Sequence, residues 1–166
     1  LGLTAPADDA TIETLVADLA TTAAVRTELP AMLARVGPKA FGWLPGGPAA
    51  ELATVLRPLA ARYNRFPGRR PDDCKWPDNG ELPGARVSEI CQEFAGLVRA
   101  RALVHAGQDL LDTQIRGASK LATGDGWRFT RKGDGHCDAD YAAAGAVNAA
   151  MTMPKPKRAR IRMIVA

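Results

Sequence analysis

Residues 127 to 151 read WRFTRKGDGHCDADYAAAGAVNAAM, and what this stretch folds into decides the rest of the chain. From Trp127 to Lys132 apolar and polar residues alternate with period two, the pattern of a half-buried strand, and Gly133-Asp134-Gly135 supplies a turn. Beyond the turn, Asp138 and Asp140 precede Ala142, Ala143, Ala144, Gly145, Ala146, Ala149 and Ala150, with no proline until Pro154. Such a run predicts a helix able to lie almost against a neighbouring backbone, opening at the two aspartates. Carboxylates in a first turn are favoured by the free N–H groups and the helix dipole. One reading of the pair is therefore an N-cap with a charge-favoured neighbour.

Upstream, Asp109 opens a helix with Leu110, Leu111, Ile115 and Leu121 inward, and Gly124 ends it before the strand at Trp127. Leu103-Val104-His105 is a short strand, and His105 reads as a structural histidine bonded to backbone and not as a base. An extended Arg86-Val87-Ser88 leads into a helix from Ser88 to Arg101, with Ser88 as N-cap and Ile90, Cys91, Phe94, Leu97 and Val98 as its apolar face. Residues 64–84 hold repeated prolines and glycines and read as one long loop, either a functional element or a surface excursion with Trp76 tucked into the core.

Nearer the start, Lys39 to Leu44 reads as a buried strand running into the turn Pro45-Gly46-Gly47-Pro48, which launches a helix over Ala49 to Tyr63. No G-x-x-x-x-G-K-[ST] loop occurs. Thr22 to Val36 has helical spacing, with Thr21 or Thr22 as cap and Gly37-Pro38 as stop; Pro30 should kink it or mark a late start. Residues 11–20 satisfy strand and helix periods alike. Alternating strands and helices of this kind predict a layered α/β domain with some parallel pairing.

At 166 residues the chain suits one domain over 1–153 with a basic tail at 154–166, large enough to bury roughly two-thirds of its unfolded surface. The net charge is +4 and unevenly placed: Arg57, Arg62, Arg65, Arg69, Arg70 and Lys75 crowd one region, and Lys155, Lys157, Arg158, Arg160 and Arg162 the tail. Clustered cations suit a phosphate backbone, and a solvated basic face is the alternative. Cys74, Cys91 and Cys137 are odd in number and lack C-x-x-C spacing, which favours a reducing compartment over a disulfide framework. A zinc site from His105, His136 and Cys137 lacks the paired spacings that zinc normally takes. No apolar run reaches the ~18 residues of a membrane span. Opening at Leu1 with no signal-peptide pattern, the chain reads as a fragment or a processed product.

A strand W-R-F-T-R-K, a short polar loop, Asp138 and then Ala142 and Ala146 at four-residue spacing resemble the C-terminal end of the nuclease domain in tailed-bacteriophage terminase large subunits. So do F-x-x-L-V-x-x-x-x-L-V-H-x-G-x-x-L-L from Phe94 to Leu111 and the closing Arg160-Ile161-Arg162-Met163. The resemblance tips residues 11–20 toward strand. It implies an RNase H-like mixed sheet flanked by helices, with the first strand missing or present only in part as Leu1-Gly2-Leu3. It further implies an endonuclease cutting concatemeric double-stranded DNA with Mg²⁺ or Mn²⁺, in the cytoplasm of an infected bacterial host, with portal and small terminase subunit as further partners. Asp138 then matches the catalytic and metal-binding acid, Asp140 is the second candidate ligand, and Arg65, Arg69, Arg70, Lys75, Arg131 and Lys132 are the candidate DNA contacts. Where the family places its second acid this chain has Leu44, ahead of Pro45, so little cleavage is expected of it alone. The alternative is a noncatalytic module of the same fold that binds DNA or the portal.

Overall fold

The computed structural model describes residues 2–6, 12–16, 21–64, 76–131 and 136–152. Strand β1 (Gly2–Pro6) pairs antiparallel with β2 (Ile12–Val16). A strand thus stands over Gly2–Pro6, longer than the three residues read there from the sequence. Helix α1 (Thr22–Val36) opens as expected: Thr21 is extended and its side chain accepts the Ala24 N–H at 3.1 Å. Gly37, in the left-handed region, closes α1 with its N–H on the Leu33 carbonyl. Pro30 lies inside the helix, which continues through it.

The expected strand over Lys39–Leu44 does not form. Trp43 makes only an isolated parallel bridge to Glu81, its N–H on the Gly80 carbonyl at 2.8 Å and its carbonyl accepting the Leu82 N–H at 3.0 Å. The run is buried because it is apolar, but its backbone finds a side chain instead of a ladder. Asn64, at the end of α2 (Ala53–Tyr63), accepts the Phe41 N–H at 2.7 Å and donates to the Phe41 carbonyl at 2.8 Å. A short 3-10 turn at Gly47–Ala50 precedes α2. One core forms here, from Leu29, Leu33, Phe41, Trp43, Leu52, Leu56 and Ala60.

Helix α3 (Ala85–Arg99) starts earlier than its sequence suggests. Pro83 and Gly84 break the chain, Arg86 N–H already bonds the Pro83 carbonyl, and Ser88 lies inside the helix and not at its cap. Strand β3 (Leu103–His105) pairs parallel with β2, so the sheet is mixed, in the order β1-β2-β3. Helix α4 (Asp109–Gly117) stops well before Gly124, and β4 (Ala118–Thr123) follows, antiparallel to β5 (Gly126–Arg131). Gly124 at φ +56° leads the two-residue turn, the glycine-first arrangement of tight hairpins. Leu121, expected inside, is 43% exposed on this hairpin. The departure has a physical source: the backbone groups of β5 need a partner, and residues 118–123 are the segment at hand.

Helix α5 (Asp138–Thr152) packs on β1, β2, α3 and α4. Its small residues Ala139, Ala143 and Ala144 are buried in the second core with Trp76, Leu82, Ile90, Phe94, Leu111 and Val147. The observed class is therefore mixed α/β. Among the described residues no helix is long and apolar enough to cross a membrane.

Candidate functional site

The start of α5 is fixed from two sides. Gln114 Oε1 on α4 accepts the Ala139 N–H at 2.8 Å, and Tyr141 donates its hydroxyl to the Phe129 carbonyl on β5 at 2.5 Å. Phe129 meets Phe94, Trp127 and Tyr141 in edge-to-face contacts with centroids 5.5 to 6.1 Å apart. Burial first, then the neighbouring Cys91, pushes the Tyr141 phenol up to about 12, so it stays protonated and donating. Burial likewise raises the Cys91 thiol, which behaves as a small apolar side chain.

On this frame the two aspartates part company. Asp138 is 86% exposed, and its carboxylate lies 3.7 Å from Nδ1 of His136, itself 69% exposed. Asp140 is 1% exposed, and neither of its carboxyl oxygens has a hydrogen-bond partner. Burial, with Asp138 second, lifts its carboxyl from the ordinary range to about 7. Helix geometry explains the split: residues two apart differ by about 200° around the axis and do not share a face. Asp138 therefore looks outward while Asp140 looks into the molecule.

Asp140 lines a cavity of about 210 Å³ bounded by α3, α4, β4 and β5. A larger open cleft, about 700 Å³, lies between the start of α3 and the β4–β5 turn. It is lined by Glu89, Glu93 and Asp125, with Ser88 and Gly124 beside them, and neither Asp138 nor Asp140 reaches it. Its acids suit a phosphate backbone poorly.

Compared with family models, curated proteins and solved structures, the chain finds no match. The site therefore rests on its own geometry. Among the described residues no three His, Cys, Asp or Glu side chains come together to hold a metal ion, whether Mg²⁺, Mn²⁺ or zinc. His105 instead has Nδ1 accepting the Gly107 N–H at 3.3 Å. Arg65, Arg69, Arg70, Lys75 and Lys132 lie outside the described residues, as does the tail; Arg131 ends β5, and its side chain is not described. Trp76, at the far end of the long loop, is buried in the core at 2% exposure. Of the described cations, Arg57 pairs with Glu81 at 3.2 Å and Arg116 with Asp112 at 3.8 Å, while Lys120 sits over the Trp127 ring at 4.5 Å.

Two features escaped the sequence. The Asn64 clamp had no local signal, since an asparagine after a helix reads first as a stop. The burial of Asp140 had none either: the two-residue spacing separates it from Asp138 around the helix, but packing decides which of the two is inside.

Proposed function

We propose that the chain is a nuclease-type α/β module of a viral DNA-packaging terminase, RNase H-like in architecture and acting on concatemeric double-stranded DNA in the host cytoplasm. The observation that carries this reading is Asp138: an exposed carboxylate on the opening turn of a helix that lies against a mixed sheet and is pinned by Gln114 and Tyr141. Hard divalent cations take oxygen donors of this kind. In phosphodiester hydrolysis Mg²⁺ or Mn²⁺ would activate water and stabilise the leaving oxygen.

Such chemistry needs several acids, and the described residues do not supply the set. Asp140 is withdrawn beneath the surface on which Asp138 stands, and no third ligand joins them among the described residues. That withdrawal favours a second reading, a noncatalytic module that holds DNA or the portal through the basic segments around Arg65, Arg69, Arg70, Lys75, Arg131 and Lys132. Plasmid cleavage with Mn²⁺ separates the two. Cutting by the wild type that disappears in Asp138→Ala supports the nuclease; salt-sensitive retention of DNA with no cutting in either protein supports the module. Absence of both cutting and DNA retention rejects both readings.

A further inference from the structure

The cavity beside the β4–β5 hairpin has an apolar wall and a cationic mouth. Ile115, Ala118 and Phe129 are half-buried in the wall, whereas Val98, Arg99 and Lys120 are exposed at the opening. The carboxyl oxygens of Asp140 are sealed behind the wall, so a ligand finds its polar contacts at the mouth alone. We propose that this cavity binds a small carboxylate with an apolar body, the body against the wall and the charge between Arg99 and Lys120.

Two cations at one opening repel each other unless an anion comes between them. Arg57, Arg86 and Arg116 find Glu81, Glu89 and Asp112, but among the described residues no carboxylate pairs with Arg99 or Lys120. Lys120 rests instead over the Trp127 ring at 4.5 Å, and a ring face attracts an ammonium without neutralising it. The guanidinium of Arg99, at the end of α3, has the fork that a carboxylate fits. Size limits the body to about one ring: an apolar cavity of about 150 Å³ admits benzene, and this one is about 210 Å³. A phosphate backbone would meet the two charges but bring nothing to cover the wall. Asp140 does not oppose the ligand at pH 6, where burial keeps its carboxyl protonated. The inference does not depend on the nuclease reading, because Asp138 does not line the cavity.

The test is a titration of the full chain with benzoate at pH 6, followed by amide NMR shifts and calorimetry. Acetate, which lacks the body, and benzyl alcohol, which lacks the charge, are the controls. Benzoate should saturate with shifts centred on Val98, Ile115 and Ala118, and each control should bind weaker by about tenfold or more. Arg99→Gln and Lys120→Gln change only exposed side chains, so both variants should fold. Each should weaken benzoate by about threefold, and the two together by about tenfold, with benzyl alcohol unchanged. Benzoate no tighter than acetate or benzyl alcohol, affinity unmoved in the paired variant, shifts centred elsewhere, or no saturation would overturn the proposal.

Discussion

Two buried polar side chains, Asn64 and Asp140, stand at helix ends in the two cores, and they are treated in opposite ways. Asn64 is 7% exposed, and its amide is in hydrogen-bond contact with both backbone groups of Phe41 and with the Pro77 and Asp78 carbonyls. Asp140 is more deeply buried and meets no donor at all. A satisfied polar group in a core fixes one chain path; an unsatisfied one lowers stability. The first region is built to hold shape; the second carries a buried carboxyl with no donor to hold it.

The sharpest way to break this contrast is Asn64→Ala. It strands the Phe41 N–H and C=O in a buried setting, at roughly 1–3 kcal/mol for each orphaned group, so a loss of about 2–5 kcal/mol is expected in denaturant unfolding. A loss under about 1 kcal/mol would mean that water takes over the clamp and that the contrast is not energetic. Gly80→Ala probes the same clamp through the backbone. Gly80 sits at φ +73°, and an added Cβ would lie 2.7 Å from both the Phe41 carbonyl oxygen and the Ala60 Cβ. Backbone and a packed methyl cannot swing away, so about 2–3 kcal/mol of destabilisation is expected by thermal melting.

Asp140 should respond to pH where Asn64 cannot. Its folded-state carboxyl titrates at about 7 against 3.8 for the ordinary group, so between those values the folded protein holds a proton that the unfolded chain has released. Stability from this group is therefore fully present below about pH 4, falls as pH rises toward 7, and is flat beyond. At 1.36 kcal/mol per unit the ceiling is roughly 4 kcal/mol, which relaxation and water entry trim to about 1–3. Asp140→Asn keeps the shape and removes the charge. It should match the wild type at pH 4 and exceed it by about 1–3 kcal/mol at pH 8, read as the difference between two denaturation curves at each pH. Equal stability at pH 8 would show that the carboxylate finds donors in solution.

Legibility followed how local the cause was. Helix α1 was readable to within a residue, its cap lying between Thr21 and Thr22, because Thr21 and Gly37 act on their own neighbours. The opening of α5 at Asp138 followed from the two aspartates and the alanine run. Strand β4 was missed because Leu110, Leu111, Ile115 and Leu121 extend a helical pattern, and only the need of β5 for a partner overrides it. Residues 39–44 depart from expectation for the converse reason: an apolar run announces burial, whereas its backbone pairs with the Asn64 side chain, some twenty residues on, in place of a ladder. The acidic pair was legible as a pair. Its division between two faces is a tertiary fact, since only packing on β1, β2 and α3 decides which side of α5 is inside.

The smallest expected effect is also the one that tests what Asp138 is for. Were its carboxylate capping α5, replacement by alanine would cost about 0.5–2 kcal/mol. It is instead 86% exposed, with His136 at 3.7 Å as its ion-pair partner, a contact of little worth in water. A first-turn acid gains a few tenths from the dipole, but Asp138 also raises the carboxyl of Asp140, and its removal eases that buried charge. The two terms oppose, so Asp138→Ala should shift stability by less than about 0.5 kcal/mol in denaturant unfolding at pH 7. A larger loss would return Asp138 to a capping role and remove the exposed acid on which the nuclease reading stands. A near-zero change leaves Asp138 a surface carboxylate that stability does not require, as for most exposed side chains.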